Sequence, residues 1–373
     1  MMKNPRLTIA TISSAALATL ITACGGGGSA NTSATAPSAT GQTPTAPSTT
    51  ATPLAGSIPT VPALPAIPAT PTSNSRFQAP VQAIPAPSYP AGSAALSEFN
   101  ALNEQRAQCN LGLLTDSLPL RRASENHATY LNTYYLQAMA PAGLSPHTQY
   151  TQFLNNFTGR TALDRLHYQG YKGLFEHETL IPYGPATDAV RAFLAAPYHA
   201  QVLLGTATDV GIASPAQGSS GAAVFEFGVT SKHQRLGDGV LTYPCQGTTG
   251  TALKLEGEVP SPYAPRNLRA NPIGQPLYFF VYEKTLVLPP GQKTLIEVTD
   301  LVVSEVVSGA AVEMLNVMTA ENDAAGSLMG IGFAYVAPHL PLKAMTQYRV
   351  KASVRSKADN KTSLVDYTFT TGS

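Results

Sequence analysis

From residue 94 onward, apolar positions recur with two different periods. Leu96, Phe99, Leu102 and Arg106 follow one another at three- and four-residue steps, which predicts a helix over Ala94–Gln108. A loop with Gly112, Asp116 and Pro119 follows. The stripe Leu120, Ala123, His127, Tyr130, Leu131 and Tyr134 then predicts a second amphipathic helix. Thr161 to Tyr168 reads as a short helix stopped by Gly170, and Leu174 to Pro182 as irregular or extended chain. Thr187 is placed to cap a further helix with Val190, Phe193 and Leu194 on its apolar face, ending before Pro197. Val210–Ala213 and Ala222–Thr230 read as strands separated by a Gly/Ser-rich turn. Helices around a small sheet imply an α+β domain, with a three-layer α-β-α arrangement as the specific expectation.

The period changes after Leu253. Alternating segments at Leu277–Leu288, Lys293–Val307, Val312–Thr319, Gly330–Val336, Gln347–Arg355 and Thr362–Thr371 predict an all-β sandwich. Turn residues such as Lys357-Ala358-Asp359-Asn360-Lys361 separate them. The expected organisation is therefore an α+β domain over 94–247 followed by a β-sandwich over 248–373.

The first 93 residues follow neither period. Lys3 and Arg6 precede an apolar run from Leu7 to Leu20, the layout of an export signal over residues 1–23. That run is short for a membrane span. Ile21-Thr22-Ala23-Cys24 resembles the bacterial lipobox, which implies acylation of Cys24, palmitate included. An ordinary signal peptide with a chance cysteine is the alternative. Gly25 follows in place of the aspartate that favours inner-membrane retention, so the resemblance implies an outer-membrane lipoprotein. Residues 24–93 are rich in Pro, Ala, Thr and Ser, and Arg76 is the one charged residue between Arg6 and Glu98. Such a segment is expected to be a disordered tether, because it holds too few large apolar side chains to offset its ordering entropy.

Charge narrows the partners. The chain carries a formal net charge of +1, and neither folded part has the basic excess of a nucleic-acid binder. Membrane contact is expected through Cys24, and nucleic acid is not. With one of the three cysteines assigned to the lipid, Cys109 and Cys245 remain as a pair in an oxidising compartment, where a disulfide is expected. Two buried thiols are the alternative.

Several short stretches, in order, carry a family resemblance. They are Phe99-Asn100-Ala101-Leu102-Asn103-Glu104-Gln105-Arg106, the Ala123–Leu131 helix, Ser145-Pro146-His147-Thr148, Asp164-Arg165-Leu166 with Gly170-Tyr171, Ala195-Ala196-Pro197-Tyr198-His199, and Phe225-Glu226-Phe227-Gly228. Together they resemble the CAP superfamily of cysteine-rich secretory, antigen 5 and pathogenesis-related proteins, in its bacterial branch. Tyr367-Thr368-Phe369-Thr370-Thr371-Gly372 resembles the closing strand of bacterial immunoglobulin-like domains. The CAP resemblance implies a cleft where two histidines and one or two glutamates can hold a divalent metal. The histidines map onto His147 and His199. The first glutamate maps onto Glu178, with Glu176 as rival. The second has no counterpart, since Phe193-Leu194-Ala195 offers no carboxylate, and the arginine that often follows the second histidine is Ala200.

Two imidazoles and a carboxylate suit zinc or a similar ion, and with it Glu178 becomes a candidate catalytic base. His147 and His199 bracing loops by hydrogen bonding is the structural alternative, and His127 reads as a core histidine. No Gly-x-Ser-x-Gly elbow, phosphate-binding glycine loop or His-Glu-x-x-His helix occurs. The leading functional expectation is a lipid-anchored envelope module that binds a lipid, wall fragment or protein. A metal-dependent hydrolase using His147, Glu178 and His199 is the second.

Overall fold

The computed structural model describes residues 77–185, 188–234, 239–281, 288, 291–326 and 328–373. The expected export signal, Cys24 and the tether up to Arg76 lie outside these residues. The architecture is α+β.

In chain order the first part comprises β1 (Phe77–Gln78), α1 (Ala94–Gln108), β2 (Thr115–Asp116), α2 (Leu118–Tyr134), a π-helical turn (Tyr135–Met139), α3 (Ala140–Ala142) and α4 (Ala162–Tyr168). It continues with β3 (Leu174–Pro185), α5 (Ala189–Ala195), α6 (Pro197–Leu203), β4 (Asp209–Ala213), β5 (Ser220–Val229), β6 (His233–Gln234) and β7 (Val240–Tyr243). Local chemistry accounts for most helix ends. Ser93 accepts from Leu96 N at 3.2 Å to cap α1. Thr161 and Asp164 close a capping box on α4. Asp188 caps α5 by accepting from Arg191 N at 2.9 Å, and Thr187, the expected cap, lies outside the described residues. α5 ends at Ala195, before Pro197 as expected, with Ala196 extended; Pro197 then opens a second helix, since its missing N–H falls where no intrahelical partner exists.

The sheet order is β2-β4-β5-β3, so Leu174–Pro182, read as irregular or extended chain, lies in the edge strand β3 (Leu174–Pro185). Gly211 on β4 lets α2 come close: a Cβ there would lie 2.1 Å from Arg121 N, and Ser124 Oγ donates to Gly211 O at 2.9 Å. Alternation along β5 decides what each face meets. Ala222 and Val224 pack with Ala128 and Leu131 of α2, and Glu226 shares that face. Ala223, Phe225 and Phe227 point the other way, into a core with Phe99 of α1, Phe193 of α5 and Tyr198 of α6.

Residues 77–92, counted above as tether, dock on this first part. Val81 N donates to Gln234 Oε1 at 2.7 Å, Ser88 Oγ to Asp116 Oδ2 at 2.8 Å, and Ile212 N to Tyr89 Oη at 3.0 Å. Tyr89 is buried against Phe99, with its ring centroid 5.5 Å away. Cys109 and Cys245 form the disulfide, with Cα atoms 5.5 Å apart.

The second part holds β8 (Lys254–Leu255), β9 (Ile273–Gly274), β10 (Leu277–Val281), β11 (Ile296–Glu305), β12 (Met318–Thr319), β13 (Phe333–Val336), β14 (Gln347–Ser356) and β15 (Thr362–Thr370). One sheet runs β12-β13-β10-β7 and another β11-β14-β15. Phe279 and Val336 from the first meet Val303, Val350 and Phe369 from the second in a shared core. Strand β7 lies before the expected boundary at Gly247, yet pairs with β10 from Val240↔Val281 to Tyr243↔Tyr278. The described residues belong to one packed unit.

Candidate functional site: a buried ion network and a separate groove

The side chains on the α2 face of the sheet build upward from Glu178 and Glu226, directly opposite each other on β3 and β5. Glu178 Oε1 accepts from His147 Nδ1 at 2.7 Å, and its Oε2 accepts from Arg165 Nη2 of α4. The Arg165 Nη2 atom lies 3.7 Å from Glu226 Oε1. Arg165 also donates to the carbonyls of His147 at 3.2 Å and Arg160 at 3.4 Å. His127 Nε2 donates to Pro146 O at 2.9 Å, and its Nδ1 accepts from Gln149 Nε2 at 3.2 Å, which fixes one tautomer. His127 is thus the core histidine anticipated from its place on the α2 stripe.

Electrostatics separate the two carboxylates. Burial alone would raise the Glu178 carboxyl, but the Arg165 cation and the hydrogen bond from His147 hold it well below the usual range. Glu226 is pushed well above that range by burial and by the Glu178 charge. Burial, with Arg165 beside it, lowers His127 to about 3. The network therefore holds one ion pair, Arg165⁺ with Glu178⁻, one neutral carboxylic acid and one neutral imidazole. Only His147, with a side chain 17% exposed, reaches solvent to any extent.

His199 lies elsewhere. On α6 it stacks on Phe193, centroids 5.1 Å apart, and Phe193 meets Phe225 edge-on. This is the opposite face of the sheet from Glu178. Its Nδ1 pairs at 3.0 Å with Glu258 Oε1 from the second part, which also accepts from Tyr198 N at 2.8 Å. Burial raises the Glu258 carboxyl. The rival Glu176 is also on the far side, paired with His233. The structure thus brings His147 and Glu178 together and leaves His199 and Glu176 apart from them.

These residues do not fit a metal. Arg165 and His147 occupy both oxygens of Glu178, and the second histidine is separated by the sheet. Among the described residues no group of three or more His, Cys, Asp and Glu side chains is placed to hold an ion. Sequence reasoning did not single out Arg165, Glu226 or Glu258 as members of a site. For Glu226 a signal existed: a carboxylate between Phe225 and Phe227 within nine consecutive buried positions, Gly221–Val229. A charge in such a setting needs a partner or a proton.

An open groove of about 710 Å³ runs between α1 and α2. Its floor is Ala101, Ala128, Ile212 and Ala222, and its rim includes Ser97, Thr129, Asn132 and Gln217. Glu98 forms one wall, accepting from Ala189 N at 2.9 Å and Val190 N at 3.0 Å. Burial and the nearby Asp188 raise its carboxyl to about 7 despite those two bonds. Among the described residues no helix is long and apolar enough to cross a membrane. Compared with known proteins, the chain matches no family model and no curated protein.

Proposed function

We propose that this chain is an envelope-tethered binding module: a CAP-like α-β-α domain joined to an immunoglobulin-like sandwich, held at the outer membrane through Cys24. The observation that carries this reading is the closed network at Glu178. A general base needs an accessible lone pair, whereas both oxygens of Glu178 are already engaged and its side chain is 3% exposed. The chemistry of a metal-dependent hydrolase at His147, Glu178 and His199 is correspondingly disfavoured. The groove between α1 and α2 supplies what binding needs: a concavity within the range of ligand pockets, a floor of small apolar side chains, and a rim of hydroxyls, amides and carboxylates. Such a rim suits the hydroxyls and amides of a cell-wall fragment. The Cys109–Cys245 disulfide fits the oxidising compartment that this reading requires.

Co-sedimentation with purified insoluble peptidoglycan tests the proposal. Ala95→Trp and Thr129→Trp, which fill the groove, are expected to abolish sedimentation, while Glu178→Gln retains it. Wall turnover that disappears in Glu178→Gln, or sedimentation unaffected by both groove variants, contradicts it.

A further inference from the structure

A second pocket, of about 430 Å³, lies between the two parts of the chain. Its walls are Val202, Phe227, Phe280, Met329, Ile331 and Phe333, contributed by α6, β5, β10 and the stretch that includes the start of β13. That stretch is tied down from below. Gln201 of α6 donates to Leu328 O and accepts from Gly330 N at 3.0 Å. Asp323 accepts from Leu328 N at 2.8 Å and from Tyr198 Oη at 2.6 Å. The cavity is therefore braced by polar bonds on the side where an unsupported loop would collapse into it.

Its mouth is polar for a specific reason. In a regular strand Glu176 and His177 would point to opposite faces. The register of β3 on β5 shifts between Phe175↔Gly228 and His177↔Phe227, so Glu176 is an inserted residue, and both side chains line the pocket. His233 pairs with Glu176, and Thr206 Oγ1 lies 3.2 Å from His233 Nδ1, fixing the carboxylate at the rim. Aromatic and aliphatic walls with one polar end match an elongated apolar ligand that carries a single head group. A carboxylate at the rim favours a head that donates hydrogen bonds and disfavours an anionic one.

We propose that this pocket holds the hydrocarbon chain of a single-chain amphiphile whose hydroxyl-bearing head meets Glu176 and His177. This site is separate from the α1–α2 groove, and its test does not depend on that groove. The probe is 1-N-phenylnaphthylamine fluorescence on the purified full-length protein, displaced by monooleoylglycerol or by oleate below their critical concentrations. Monooleoylglycerol is expected to displace the dye at a concentration at least tenfold below that of oleate. Val202→Trp and Leu328→Trp, which fill the pocket from opposite sides, are each expected to weaken dye binding at least tenfold with circular dichroism unchanged. Glu176→Gln is expected to retain the dye and narrow the difference between the two lipids. Ala95→Trp is expected to change nothing. Dye binding intact in a folded Val202→Trp or Leu328→Trp variant overturns the assignment, and so does equal displacement by the two lipids.

Discussion

Arg165→Met is the perturbation that bears most directly on the buried network. Methionine keeps much of the arginine's length and apolar bulk but removes the cation facing Glu178 and Glu226, together with hydrogen bonds to His147 O and Arg160 O at 3.2 and 3.4 Å. Breaking a buried pair by removing one partner costs roughly 3–5 kcal/mol, because the remaining charge is left in a medium that solvates it poorly. For a protein of this size that is a fall in Tm of roughly 10 °C. The sign with pH follows from the carboxyl. In the native network Glu178 is held well below its ordinary value, so its contribution is present above the unfolded pKa near 4.5 and lost as pH falls through the folded one. Without Arg165 the dominant influence on Glu178 is burial, which raises it, so the variant loses stability as pH rises. The deficit relative to the parent is therefore expected to widen from pH 5 to pH 8. Adding Glu178→Gln removes the orphaned charge and should recover at least half of the deficit. Guanidinium unfolding of the three proteins at both pH values measures this. A deficit of the same size at the two pH values, or a double variant no better than Arg165→Met, would refute the reasoning.

Glu226→Gln should act in the opposite sense. Its folded carboxyl is raised, so the carboxylic acid is fully favourable below about 4.5 and loses stability as pH rises through its folded value; the amide should gain about 1–3 kcal/mol at pH 8 and nothing at pH 4 by thermal unfolding. Replacing both Cys109 and Cys245 by alanine opens a loop spanning 136 positions, and denaturant unfolding should show a loss of up to about 5 kcal/mol. Tyr89→Phe removes the bond from Ile212 N and should cost about 1–3 kcal/mol, whereas a docked segment of no consequence would give no change in Tm.

The apolar period gave α1 and α2 within a residue or two, because each packs one continuous stripe against the sheet. It left β3 open between irregular and extended chain, because Pro182 and Gly184 interrupt the run and the register shift at Glu176 breaks alternation. It did not reveal α6, because Pro197, which follows the end of α5 as expected, also serves as the first-turn residue of a new helix. Residues 77–92 looked like more of the same Pro/Ala-rich tether, and only tertiary contacts through Tyr89, Ser88 and Val81 distinguish them. The sequence order of His147, Glu178 and His199 was legible, and the meeting of the first two is found. The side of the sheet on which α6 packs was not, since it depends on which face of β5 carries Phe225 and Phe227. Nor could Glu258 be foreseen as the partner of His199, because they lie 59 positions apart in different parts of the chain.

The central claim is that Glu178 is committed to Arg165 and His147, and His199 to Glu258, so that the three candidate ligands do not share an ion. Zinc titration calorimetry of the parent protein beside His147→Ala and His199→Ala tests it most directly. The account predicts no saturable equivalent of zinc that depends on both histidines. One stoichiometric site in the parent, lost in each of the two variants while both remain folded, would contradict it.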